Sequence, residues 1–324
     1  MNLLLRKLVS AGRLLGSPEQ FVLRVKKNLL EARSLITCER PFVYQSALGL
    51  PFACLPEDES SQRHYLEGWK DSVELDVAKA WLKKGDLCCD VGANIGLYCT
   101  VFSHCVGPNG RVVALEPSAE TFTRLVKTLS LLKLDNVMPL PVVAFERAGL
   151  VNFFTANANG VYAAENSLSV APERRALSRK MFVPAFTVDE LFEAMSEQRD
   201  CALLKCDAEG SDVLVLRGAR QTLQGENPPL VIVEVHAEKL PEFGFTPEDL
   251  MALFPAARFY QFIVPHSLGR IHSADLKCGV AYAADVLSEW PFYSNLIAVP
   301  KIGRFAVRAA SLHVLPLGST QTPG

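Results

Sequence analysis

The sequence predicts an α/β fold, a doubly wound and mainly parallel sheet behind a helical N-terminal extension. Three observations carry that expectation. Short, continuous apolar runs alternate with helix-period segments from about residue 71 onward. Several of the helices have readable starts. The apolar run L-C-C-D-V turns through G-A-N-I-G straight into the helix start L-Y-C-T-V-F.

Residues 1–70 read as a helix-rich and then irregular extension, with P-F-A-C-L-P and E-D-E-S-S-Q as loop signals. The first 18 residues carry Arg6, Lys7 and Arg13, no acid, and leucines at helical spacing. Such a helix suits weak contact with an anionic membrane surface or a targeting role, and more simply an amphipathic helix docked on its own domain. The main domain is expected over 71–302, with strands at 87–91, 111–116, 137–144, 201–207 and 230–235, completed by 258–264 and 295–300. Between them, Phe122, Leu125, Val126, Leu129 and Leu132 form an apolar stripe. Thr187 and Glu190 form a capping box, and Thr246 followed by Pro247 opens a further helix. Residues 303–324 read as a frayed tail.

Composition narrows the function. Across 324 residues the formal net charge is −2, with acids and bases interspersed, so no basic field points to nucleic acid and the partners are small molecules or proteins. The nine cysteines are odd in number, and Cys88, Cys89, Cys201 and Cys206 lie in apolar runs, as reduced core residues of a cytoplasmic protein do. No apolar run reaches the roughly 18 residues of a membrane span, so the expectation is a soluble or peripheral protein.

The turn itself suggests chemistry. Gly92 and Gly96 are spaced G-x-x-x-G, which is neither the dinucleotide fingerprint nor a phosphate-binding loop, and the acid Asp90 would repel a pyrophosphate. The next strand ends in Glu116-Pro117, 24 residues beyond Gly92, where a carboxylate can accept from two ribose hydroxyls. Together these features describe a pocket for a nucleoside with a positively charged end, and S-adenosylmethionine fits that description. A nicotinamide-dependent oxidoreductase on a similar sheet, and a cofactor-binding module without catalysis, are the alternatives.

At these residues the chain resembles the FkbM family of S-adenosylmethionine-dependent methyltransferases. The resemblance rests on D-V-G-A-N-I-G, G-P-N-G-R-V-V-A-L-E-P and L-L-K-C-D-A-E-G-S-D-V-L-V-L-R-G-A in that order, and it spans about Gly85 to His236. It implies a class I methyltransferase fold with a seven-stranded sheet and methyl transfer, commonly to a hydroxyl oxygen of a sugar or other metabolite. It assigns cofactor contacts to Asp90, Gly92, Asn94, Gly96 and Glu116. Where such enzymes often place an aspartate for the adenine amino group, V-V-A-F-E offers Phe145, to stack on or flank the base, or Glu146 as acceptor. Cys206 and Ala208 replace the family's usual isoleucine and valine.

A second constellation comprises Lys205, Asp207 and Glu209 at one strand end and Glu234 and His236 at its neighbour's. Adjacent parallel strands would gather all five at the sheet's carboxyl edge. They either form internal pairs, Lys205 with Glu234 above all, or serve catalysis, with Asp207, Glu209 and His236 as candidate bases. No spacing demands a metal. The acceptor pocket is expected from the N-terminal region and from the insert 155–185, which name no sugar, glycan or lipid.

Overall fold

The computed structural model describes residues 40–46, 48–67, 72–156, 167–169, 178–195, 199–265, 282–283 and 293–312. The basic N-terminal helix read from the sequence lies outside them. The chain divides into two compact units, Met1–Trp69 and Lys70–Gly324.

In the first unit, strands β1 (Phe42–Gln45) and β2 (Pro51–Cys54) pair antiparallel, with Gln45 opposite Pro51, and helix α1 (Glu59–Glu67) follows. Both loop signals are therefore corrected. Proline can open a strand because the first position of a two-stranded pair need not donate to a ladder. The acids before α1 cap it instead: Asp58 Oδ1 accepts the Ser61 N–H at 2.6 Å.

The second unit is built on an eight-stranded sheet in which seven strands are of ordinary length. Their ranges are β3 Leu87–Val91, β4 Arg111–Leu115, β5 Val137–Leu140, β9 Cys201–Cys206, β10 Leu230–His236, β11 Phe259–Pro265 and β13 Tyr293–Pro300, and the edge pair β12 is Tyr282–Ala283. The order is β12-β11-β13-β10-β9-β3-β4-β5. Strands β5, β4, β3, β9 and β10 run parallel, and β13 lies antiparallel between β10 and β11. This is the seven-stranded class I arrangement that the resemblance implies. All residues of β3 and β9 are buried, as strands covered on both faces should be.

One face carries Leu87, Cys89 and Val91 of β3 together with α5 (Val188–Ala194), α6 (Asp212–Arg217), α7 (Arg220–Gln224) and α8 (Pro247–Met251). Helices α2 (Ser72–Trp81) and α3 (Leu97–Val106) pack together, and α4 (Ala119–Leu132) joins β4 to β5. The expected capping box is present at Thr187/Glu190, and the helix expected to open at Thr246-Pro247 does so with a second box, Thr246/Asp249. On α4, Leu125 and Leu129 are buried but Val126 is 41% exposed, because it lies a quarter-turn off the stripe. Cys88, Cys89, Cys201 and Cys206 are buried free thiols.

Two readings change. The expected strand 137–144 is two strands in two sheets. β5 keeps Pro139 because it is an edge strand, whereas β6 (Val143–Ala144) leaves the main sheet. β6 pairs parallel with β8 (Ser178–Phe186), and β7 (Gly149–Ala156) pairs antiparallel with β8, giving a second sheet around Val143, Phe153, Val183 and Ala185. The start of the expected tail is packed: residues Ala306–Leu312 form a 3-10 helix with Phe305 and Leu312 buried. Arg308 adds a two-point ion pair to Asp86, at 2.5 and 3.0 Å.

Phe305→Ala should therefore lower unfolding stability by ~3–5 kcal/mol in a denaturant titration, the range for deleting a buried phenylalanine. A change within ~0.5 kcal/mol would return this segment to the status of a tail.

Candidate functional site

The β3–α3 turn is shaped by the backbone of β9. The Asp207 N–H donates to the Val91 carbonyl at 3.1 Å, and a Cβ on Gly92 would lie 1.9 Å from the Asp207 carbonyl oxygen. Gly92 also has φ +74°, so only glycine satisfies both the dihedral and the approach. The N–H groups of Gly92 and Ala93 donate to Leu115 at 3.0 and 2.9 Å, which ties the turn to β4 as well. Gly96, at φ +90°, faces Leu125 so closely that a Cβ would lie 2.8 Å from its Cδ1, so its work is helix packing.

At the end of β4, Glu116 is 6% exposed and accepts two backbone N–H groups, from Asn94 at 3.0 Å and from Ser118 at 2.9 Å. Burial pushes its carboxyl up to about 7 against those two bonds. The Asn94 side-chain Oδ1 is buried and has no hydrogen-bond partner among the described residues.

Across the sheet edge stand the other acids. Lys205 Nζ is 3.1 Å from Asp207 Oδ2 and 3.9 Å from Asp90 Oδ1, so its partners are these two aspartates and not Glu234. Strand alternation ends after Asp207, where Glu209 adopts φ +53° and its carboxylate pairs with Lys239. Burial, then Asp207, push Glu209 up to about 7 in spite of that lysine. Glu234, hydrogen-bonded to Asp207, is driven well above the carboxylate range by burial first and then by Asp207 and Glu209. His236 is 3% exposed, and burial with Lys239 lowers it to about 4, so it is neutral at physiological pH.

A pocket of about 230 Å³ opens at this sheet edge. Gly92, Asn94, Glu116 and Pro117 form one wall, and Asp207, Glu209 and Glu234 form another. An apolar side, which the sequence reading missed, is made by Val142, Val143, Ala144, Phe153 and Leu168, with Ser167 beside it. Ser167 and Leu168 belong to the insert expected to contribute to the acceptor pocket, and the Ser167 hydroxyl donates to the Glu209 carbonyl at 3.3 Å. Among the described residues no group of three or more His, Cys, Asp and Glu is arranged to hold a metal ion.

Six expected residues lie outside the pocket wall. Asp90, 1% exposed, faces Lys205 and accepts from the Cys99 thiol at 3.1 Å. Lys205, Gly96 and His236 are also absent from the lining. Phe145 follows β6 into the second sheet, where its N–H bonds the Phe186 carbonyl and its own carbonyl abuts Gly218. Glu146 is carried to the surface, 3.9 Å from Arg217. The signal for the true wall was one step earlier in V-V-A-F-E, in its apolar residues.

The model of the methyltransferase FkbM domain matches residues 90–263. No curated protein sequence matches the chain. Among solved structures, an FkbM methyltransferase from Methylobacillus flagellatus is 12% identical with a TM-score of 0.37, the match covering 85% of this chain and 59% of that one. An S-adenosylmethionine-dependent O-methyltransferase from Thermotoga maritima is 13% identical at TM-score 0.39, with 79% and 77% covered. An rRNA methylase from Streptococcus thermophilus is 7% identical at TM-score 0.38, with 69% and 93% covered.

Gly92→Ala should cost at least ~2 kcal/mol, because backbone strain and the clash with Asp207 add. A second expectation concerns pH. The folded-state pKa of Glu116 is raised from 4.5 to about 7, so its contribution to stability is full below pH 4.5 and is lost as pH rises through 7. Across that window the stability of Glu116→Gln relative to wild type should rise with pH by up to ~3 kcal/mol, measured by urea unfolding at several pH values. A difference independent of pH would place the raised pKa elsewhere.

Proposed function

The chain belongs to the FkbM family of methyltransferases, whose methyl donor is S-adenosylmethionine, and from that premise we propose transfer to a hydroxyl oxygen of a small-molecule or glycan acceptor. The observation that supports this reading is one pocket with Glu116 on one side and the Asp207–Glu209–Glu234 edge on the other. The residues fit the donor. Each Glu116 oxygen accepts one backbone N–H and keeps a lone pair for a ribose hydroxyl. Gly92 presents bare backbone, the Asn94 Oδ1 offers an unused acceptor, and the side from Val142 to Ala144 with Phe153 and Leu168 suits a flat base. Phe145 and Glu146 are replaced in that role.

When bound, S-adenosylmethionine supplies an electrophilic methyl group on a sulfonium. The chain must orient an acceptor hydroxyl and take its proton. Asp207 is one of the three candidate bases, but its carboxylate is already engaged by Lys205 at 3.1 Å and by a hydrogen bond from Glu234. Glu209 lines the pocket with a carboxyl pushed up to about 7, near the value that suits a general base at neutral pH. We assign the proton to Glu209, with Asp207 positioning groups. Four pocket carboxylates and the net charge of −2 oppose a polyanionic acceptor such as RNA.

A methyl-labelled donor incubated with a metabolite and glycan panel tests the acceptor class; label on nitrogen or on RNA would refute the assignment. With the acceptor in hand, Glu209→Gln should lower turnover by more than about tenfold, over ~1.4 kcal/mol of barrier, with donor affinity within a few fold. Asp207→Asn losing more turnover than Glu209→Gln would reverse the two roles. For the donor, Glu116→Ala should weaken S-adenosylhomocysteine binding by ~1.5–3 kcal/mol in calorimetry. Because the ribose hydroxyls need the ionised carboxylate, wild-type affinity should rise from pH 6 to 8, and Glu116→Gln should flatten that rise.

A further inference from the structure

Lys205 is 5% exposed in mid-sheet, level with Asp90 of β3 and Ile232 of β10. Leu203, two residues earlier on the same face of β9, is fully buried and apolar, so the layer would accept an apolar residue here. The ammonium instead reaches Asp207 at 3.1 Å and Asp90 at 3.9 Å, and sits 4.6 Å from the centroid of the Tyr98 ring. Only one of those two carboxylates, that of Asp207, lines the pocket. Burial lowers a lysine's pKa, but Asp207 and Asp90 more than reverse this, so the group is charged.

We propose that Lys205 is the positioning and charge-setting residue of the pocket: it fixes the Asp207 carboxylate at the wall and cancels its charge, and so determines how strongly the pocket prefers a cationic ligand to a neutral one. The proposal rests on the S-adenosyl reading above. It follows from how charges are paired around the edge. Glu209 has Lys239, Asp207 has Lys205, and Glu234 gives its hydrogen bond to Asp207. Behind them, Asp212 of α6 is occupied by the N–H groups of Ala208 and Gly210, and His236 is neutral. Removing Lys205 would leave Asp90 and Asp207 facing one another without a cation. At high pH that places an uncompensated negative charge at the wall, and at low pH one of the pair takes up a proton.

The test is titration calorimetry with two probes, S-adenosylhomocysteine, a neutral thioether, and sinefungin, which carries an amine cation where the methyl stands. At pH 8, K205M should raise the preference for sinefungin by about tenfold or more over wild type, and the gain should collapse near pH 5 as carboxylates protonate. K205R should restore the wild-type ratio. A purely structural lysine would weaken both probes equally, so an unchanged ratio in folded K205M overturns the proposal. Should K205M fail to fold, D207N gives the opposite sign: it removes the carboxylate charge from the wall and leaves Lys205 paired to Asp90 alone, so the sinefungin preference should fall by about tenfold, and a ratio equal to wild type overturns the proposal there. Wild type that binds neither probe would instead refute the S-adenosyl reading of the pocket, a distinct failure.

Discussion

The close approach of Gly92 to the carbonyl of Asp207 is the constraint on which the rest of the site depends. Two parallel strands, β3 and β9, end side by side, and their chains then diverge into α3 and into the Ala208–Ser211 turn. Because no side chain separates them at Gly92, the Asp207 backbone can bond Val91, and the wall carrying Glu116 lies across a narrow gap from the acid edge. Any Cβ there would push the strand ends apart and widen that gap. The glycine therefore serves distance more than flexibility.

The same closeness makes the edge electrostatically expensive. Five acids, Asp90, Asp207, Glu209, Asp212 and Glu234, crowd the carboxyl ends of three neighbouring strands and the turn that follows β9, with Lys205 and Lys239 as the cations paired to them. Burying so many ionisable groups stabilises a fold less than packed apolar side chains would. The chain meets the cost in several ways: ion pairs for Asp207 and Glu209, backbone N–H donors for Asp212, and for Glu234 a hydrogen bond to Asp207 with a pKa raised by burial. Groups with such unlike environments divide the labour of holding charge and moving protons.

What could be read from the sequence follows from how local each signal is. The main-sheet strands stand out because each is a short run covered on both faces, and the capping boxes because their bonds span three residues. Glu116 and Glu209 reach the pocket as the motif spacing suggests. Asp90 lies outside the pocket wall for a non-local reason: its carboxylate stands 3.9 Å from the buried ammonium of Lys205, 115 residues later. Phe145 and Glu146 lie outside the lining because V-V-A-F-E looks like the end of a main-sheet strand, and only β8, more than 30 residues on, reveals that the chain has already changed sheets. Phe305 looked like tail because a single buried aromatic has no period to display.

That change of sheets also separates the two sides of the pocket. Its charged walls come from β3, β4, β9 and β10, whose positions are fixed by a doubly covered core. Its apolar side comes from Val143, Ala144 and Phe153 of the small second sheet and from Ser167–Leu168, of which Ser167 pairs with Phe154 in an isolated bridge. Substitutions on that side alter shape and apolar area without breaking an ion pair, whereas any change of charge on the opposite wall redistributes protons among coupled neighbours. Pocket volume and ligand shape can thus be varied on the second sheet while the proton and charge chemistry stays with the first.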